Sequence, residues 1–164
     1  MPDKHLSSQF DEDLNALCAQ LLQMGGLVEQ QIETAMRGFT ELNVDLCNEV
    51  IEREKSVNAI EVEIDSACVE VIARRQPIAR DLRLVMAISK AITNLERAGD
   101  EAERVAKRSR RVIEESSNYK INVAEIKLSG QMAIDLLRQS LDCFARLDAV
   151  AAAKVVADFA KTND

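Results

Sequence analysis

The chain has 164 residues and a formal charge of −7, with 28 acids against 21 lysines and arginines. That balance argues against non-specific nucleic-acid binding and against an anionic membrane surface. No run of about 18 apolar residues is present, so no membrane-spanning helix is expected.

Aromatics are four Phe and one Tyr, with five Gly and two Pro. Ala, Leu, Glu, Arg, Val and Ile dominate, which is the vocabulary of helix bundles, so an all-α fold is expected. The length suffices for one sizeable core or two small ones. Met1-Pro2-Asp3-Lys4-His5 has no apolar stretch of a signal peptide, and a cytoplasmic protein is expected. Cys18, Cys47, Cys68 and Cys143 show no CxxC spacing. They read as small buried hydrophobes, neither a disulfide framework nor a thiolate metal site.

The first long segment runs from about Ser8 to Glu41. Phe10, Leu14, Leu17, Leu21, Met24, Val28, Ile32, Ala35, Phe39 and Leu42 recur at steps of three and four, as a bundle helix requires. Gly25-Gly26 interrupts it, at about 1 kcal/mol each against Ala, so close approach of a neighbouring helix is expected there. Asn43 or Asp45 can cap the next helix, about Val44 to Arg74. Its stripe is Leu46, Val50, Glu54, Val57, Glu61, Ile64, Cys68 and Val71. An acid on such a stripe must reach solvent, pair with a cation or bind metal. Asn58, four after Glu54, shares its face.

Pro77 disfavours helix at Gln76 and suits the start of a new one. Arg74 and Arg75 lie in the last turn, where cations favour the carbonyl end of the dipole. With Arg80 and Arg83 they make a basic corner that can also contact an anion or an acidic partner surface. The third helix is expected from about Pro77 to Glu114, packing through Leu84, Val85, Ile88, Ile92, Leu95, Gly99, Ala102, Ala106 and Ile113. Small residues at Gly99, Ala102 and Ala106 let a neighbour come close, and Glu96, Asp100 and Glu103 line one edge of the stripe. Residues four apart share a helix face, so Glu96 and Asp100 present two carboxylates to one point. They repel unless a cation intervenes, either a nearby Lys or Arg or a metal ion suited to oxygen ligands.

Glu114 to Tyr119 is polar and lacks apolar periodicity, which marks a boundary. A fourth helix follows from about Val123 to Leu147, with Ile126, Gly130, Ala133, Leu137, Leu141 and Phe144 on one face. Asp148 can cap a short fifth helix, Ala149 to about Ala160. This second part echoes the first weakly, at an offset of about 105 residues. The expected organisation is an antiparallel three-helix bundle over residues 8–114 and an incomplete second bundle of about two helices over 120–164.

Met24-Gly25-Gly26-Leu27-Val28-Glu29, then Ala73-Arg74-Arg75-Gln76-Pro77, Asp81-Leu82-Arg83 and Leu95-Glu96-Arg97-Ala98-Gly99-Asp100 together resemble the PhoU family, over nearly the whole chain. The resemblance implies two tandem three-helix bundles, of which this chain lacks the last helix. It implies a negative regulator of phosphate uptake and of the phosphate-starvation response, linking the phosphate ABC transporter ATPase to the sensor kinase PhoR and the response regulator PhoB. It also implies iron, zinc or manganese ions held by acidic motifs. Carried onto this chain, those ligands are Glu96, Asp100, Glu54 and Asn58. Glu54 matches an acid that is usually Asp in the family, Asn58 matches its partner, and Asn94 stands where Asp is frequent.

Helices four and five then present Leu137, Leu141, Phe144, Val155 and Val156 without a third helix to cover them. Leaving such side chains in water forgoes about 1.5–3 kcal/mol each. Two chains pairing these faces as a homodimer is one expectation, and folding back onto the first bundle is the other. A plain structural or oligomerisation bundle remains an alternative function. An enzyme is not expected: di-metal helix bundles use Glu-x-x-His pairs, and the one His is His5.

Overall fold

The computed structural model describes residues 3–115 and 123–162, with side chains from 8 to 115 and from 123 to 160. The side chain of His5 and the polar boundary from Ser116 to Tyr119 lie outside the described residues. Five helices carry the chain: α1 Asp3–Thr40, α2 Val44–Arg75, α3 Ala79–Glu115, α4 Ala124–Arg146 and α5 Ala149–Thr162. Among the described residues there is no strand, and no helix is long and apolar enough to cross a membrane.

The turns carry the chemistry that stops helices. Asn43 caps α2, its Oδ1 accepting from the backbone N–H of Asp45 at 2.9 Å and of Leu46 at 3.2 Å. Gln76 ends α2 in the left-handed region at φ 49°, its N–H donating to the Ile72 carbonyl at 3.0 Å. Pro77 after it forbids a simple continuation. Asp148 accepts from the Ala151 N–H at 2.9 Å and starts α5.

Helices α1, α2 and α3 pack against one another as an antiparallel bundle. Ser89 donates to Asp65 at 3.0 Å and Thr93 to Glu61 at 3.1 Å, which sets the α2–α3 register. Leu17, Leu21, Met24 and Val28 of α1 meet Val57, Ile64 and Cys68 of α2 and Val85, Ile88, Ile92 and Leu95 of α3 in one core. Toward the Asn43 turn the core narrows to Ala35, Cys47, Val50, Ala102 and Ala106. Alanines there let α3 lie close to its neighbours. Leu42, expected in the stripe, is instead exposed in the turn.

The fourth helix does not leave its apolar face in water. It lies along α1, and Leu137, Leu141 and Phe144 pack onto the bundle core. The contact is keyed by small residues at both ends. A Cβ at Gly25 would lie 2.5 Å from Leu141 Cδ2, and one at Gly130 would lie 2.5 Å from Met36 Cε. Gly25 thus meets the close neighbour its presence in the helix suggested, while Gly26 has nothing within 4 Å. Arg138 of α4 spans Glu29 at 2.6 Å and Glu33 at 2.5 Å on α1. The packing phase of α4 differs from expectation: Ile134 and Cys143 are buried, while Ala133 and Ile126 are exposed. α5 packs on α4, and Val156 and Phe159 remain exposed.

Candidate functional site

The middle of the bundle holds one polar cluster inside an apolar wall. Glu54 sits on the core stripe of α2 between Val50 and Val57 and is only 4 % exposed. It does not snorkel outward. Gln31 of α1, fully buried, donates from Nε2 to Glu54 Oε2. Gly99 of α3 makes the room: a Cβ there would lie 3.1 Å from Glu54 Oε2 and 3.5 Å from Oε1. The glycine between Glu96 and Asp100's turn therefore admits a carboxyl group from the facing helix.

The pocket is unfavourable for charge. Burial pushes the Glu54 carboxyl up to about 7, and Asp100, Glu103 and Glu96 push the same way, against the hydrogen bond from Gln31. Burial also raises Glu96, helped by Asp100 and Glu61 and opposed by Arg97. Glu54 Oε1 and Gln31 Oε1 are buried with no hydrogen-bond partner among the described residues. Around this centre the other acids find ordinary partners. Lys107 pairs with Glu103 at 2.7 Å, and Thr93 donates to Glu61. Among the described residues Glu96 and Asp100 have no ion pair.

Of the residues named from sequence, the structure brings Glu54, Glu96 and Asp100 within one another's field. It does not bring Asn58, which is exposed beside the buried Val57; Asn94 is exposed as well. Glu61 and Glu103 join the cluster from the stripe and its edge. Gln31 was missed, because a lone Gln between Val28 and Ile32 gives no signal until its partner across the bundle is known.

Iron, zinc or manganese is the ion the sequence resemblance implies. The donors suit a hard cation in type, and Glu54 Oε1 is left without a hydrogen-bond partner. Their placement does not fit one: among the described residues no three Asp, Glu, His or Cys side chains come together as a coordination shell. The arrangement is a buried, protonatable carboxyl facing an acidic edge, held by an amide from α1.

The basic corner is also divided. Arg74 pairs with Glu70 on its own helix, and Arg75 reaches Asp13 of α1 at 2.9 Å. Arg80 and Arg83 are exposed and form no ion pair among the described residues. The four do not converge on one anion.

With this geometry in hand, residues 21–109 match the family described as PhoU domain. A phosphate-specific transport system accessory protein PhoU homolog of Burkholderia sp is 45 % identical over the whole chain, which covers 70 % of that relative. The Escherichia coli (strain K12) phosphate-specific transport system accessory protein PhoU is 41 % identical over 98 % of this chain and 66 % of its own length. The chain thus spans about two thirds of the length of these relatives. The crystal structure of PhoU from Pseudomonas aeruginosa superposes with a TM-score of 0.87 at 39 % identity, covering 93 % of this chain and 72 % of that one. A phosphate transport system regulatory protein PhoU from Streptococcus pneumoniae shares the fold at TM-score 0.84 and 21 % identity, over 94 % and 72 %.

Proposed function

The chain belongs to the PhoU family, and from that membership we propose that it is an accessory protein of a phosphate transport system. It acts in the cytoplasm as a negative regulator of phosphate uptake and of phosphate-starvation signalling. It works by binding, as an adaptor between the phosphate ABC transporter ATPase and the PhoR/PhoB pair, and not by catalysis. The observation that carries this reading is the 41–45 % identity, spread along the whole chain, to relatives named for that accessory role.

The fold supports a binding role in a simple way. Long helices with tight capped turns present large rigid faces, and such faces suit recognition of other proteins. The buried Gln31–Glu54–Gly99 contact ties all three helices of the bundle at one level, so the faces keep a defined relative rotation. We include self-association in this proposal. The groove between α4 and α5, lined by Met132, Leu136, Val155 and Phe159, is apolar surface that a second copy can cover. A monomer by light scattering at micromolar concentration rejects that part.

The deciding experiment removes the gene in its host and supplies phosphate in excess. The expected result is a starvation response that stays on, with phosphate uptake no longer restrained, and its return to normal when this chain is supplied in trans. A deletion strain that still shuts the response off in high phosphate rejects the proposal. Co-purification of the transport ATPase with the tagged chain tests the adaptor step separately.

A further inference from the structure

The solvent face of α3 carries cations at a fixed interval: Arg83, Lys90, Arg97, Arg104 and Arg111 are each seven residues apart. Seven residues are two helical turns less about 20°, so the row drifts only about 80° over its four steps. All five are exposed. The row spans about 42 Å at 1.5 Å per residue. It lies on the side of α3 opposite Ile88, Leu95 and Ala106, which face the core. Arg108, one turn beyond Arg104, widens it and is also exposed.

A solvated helix face in a chain of net charge −7 would be expected to carry mixed or acidic character. On this ridge the cations outnumber the acids. The acids on the ridge, Glu101 and Glu115, are each held by an arginine of the ridge itself, at 2.5 Å to Arg104 and 2.8 Å to Arg111. Arg83, Lys90 and Arg97 form no ion pair among the described residues. The acids Glu61, Glu96 and Asp100 lie off the ridge, in the seam toward α2. Near its beginning the ridge gains exposed apolar side chains, Leu82 and Met86, with Ile78 in the corner before the helix. Leu84 and Ala87 of α3 face α4 and α5 across a shared groove, but the five cations stay exposed along the ridge.

We propose that the outward ridge of α3 is a docking surface for an acidic α-helical segment of another protein, one whose carboxylates recur at seven-residue spacing. This deepens the accessory reading and rests on it, since it names the surface through which the chain meets a partner. Charge complementarity selects the sign of the partner, and the interval selects its form. A helix laid alongside α3 meets Arg83, Lys90 and Arg97, the cations no acid of the ridge engages, in step only if its acids share their repeat, as flanking charges do in paired helices. Met86 and Leu82 supply an apolar anchor at one end, which sets direction. Steering by the ridge raises the encounter rate and makes binding sensitive to salt.

The test uses a fluorescein-labelled synthetic helix about 30 residues long, to match the ridge, with glutamates at seven-residue spacing, and a second peptide of the same composition with the glutamates scrambled. Anisotropy titrations against the full chain are expected to favour the periodic peptide by about tenfold or more at low salt, with the preference shrinking as salt rises. The triple reversal Arg83→Glu, Lys90→Glu, Arg97→Glu is expected to abolish that binding while circular dichroism stays helical. Should the reversal fail to fold, the neutral set Arg83→Gln, Lys90→Gln, Arg97→Gln takes its place, and Arg83→Lys with Arg97→Lys is expected to retain binding. Equal affinity for the two peptides, or unchanged binding by the folded variants, overturns the proposal. So does binding to phosphatidylglycerol vesicles through the same cations without discrimination between peptides. The assay reads the ridge alone, so its failure beside an intact phosphate phenotype leaves the accessory function standing.

Discussion

Leu141 of α4 seats its isobutyl group against Gly25 of α1, where an added Cβ would lie 2.5 Å from Leu141 Cδ2 and 2.7 Å from Cδ1. The adjacent Gly26 has open space instead. Two glycines in one helix, equal in intrinsic cost, are therefore expected to respond with opposite sign. Gly26→Ala gains up to about 1 kcal/mol of helix propensity. Gly25→Ala gains the same propensity but must displace Leu141, and overpacking of this kind costs about 1–3 kcal/mol. Urea unfolding of the two variants checks the difference, and hydrogen exchange is expected to report the loss first in α4. Equal shifts of the same sign would mean that α4 does not key into α1 at this point.

Glu54 makes the stability of the metal-free chain depend on pH in a direction opposite to most carboxylates. Its folded pKa, raised to about 7 by burial, exceeds its ordinary value of 4.5. Below that lower value both states are protonated, and burial of the neutral acid is at its most favourable. As pH climbs, the unfolded chain ionises first, and this stability is lost progressively up to the folded pKa. The full shift corresponds to about 3 kcal/mol at most. Glu54→Gln keeps shape and hydrogen-bonding capacity without the charge. It is expected to be the more stable form at pH 8 and nearly indistinguishable from the parent at pH 4. A parent protein whose melting temperature rises between pH 5 and 8, with the variant in parallel, would contradict the assignment of a neutral buried acid.

The helix boundaries were legible because they depend on local chemistry. Asn43, Pro77 and Asp148 act on residues next to them, and periodic stripes point to one side of a helix whatever lies there. Acids on a stripe are different. Glu54 takes none of the three fates its stripe position suggests: it is buried as an acid bonded to Gln31, 23 positions earlier, in room made by Gly99 on a third helix. Arg75 likewise finds Asp13 across 62 positions, which removes it from the corner it shares in sequence with Arg80 and Arg83. On α4 the error was one of phase: Ala133 and Ile134 both suit a packing face, and only contact with α1 selects Ile134. The seven-residue row of cations on α3 stands in plain sight in the sequence, yet it becomes a ridge only once Ile88, Leu95 and Ala106 show which side is inside.

The cap of α2 gives a compact test of the turn. Asn43 Oδ1 accepts from both the Asp45 and Leu46 N–H groups, satisfying donors that the helix itself leaves open. Asn43→Ala is expected to cost about 1 kcal/mol, and Asn43→Gly only a few tenths. The ordering matters more than the size. If alanine is no worse than glycine in urea unfolding, the side-chain bonds do not hold the turn in solution.

Packing and charge both tie α4 to α1, and salt separates them. Arg138 spans Glu29 and Glu33 at an exposed position, where side-chain freedom and screening leave ion pairs little net effect. Met36 against Gly130 lies farther along the same contact, with a Cβ at Gly130 due 2.5 Å from Met36 Cε. Gly130→Ala is therefore expected to weaken α4 docking in low and high salt alike, whereas Arg138→Ala weakens it only in low salt. Near 1 M salt the screening length falls to about 3 Å, and the arginine variant is expected to match the parent in hydrogen exchange of α4. If Arg138→Ala instead loosens α4 as much as Gly130→Ala at every ionic strength, the helix is held by its charges, and the glycine notches are only a consequence of the path it takes.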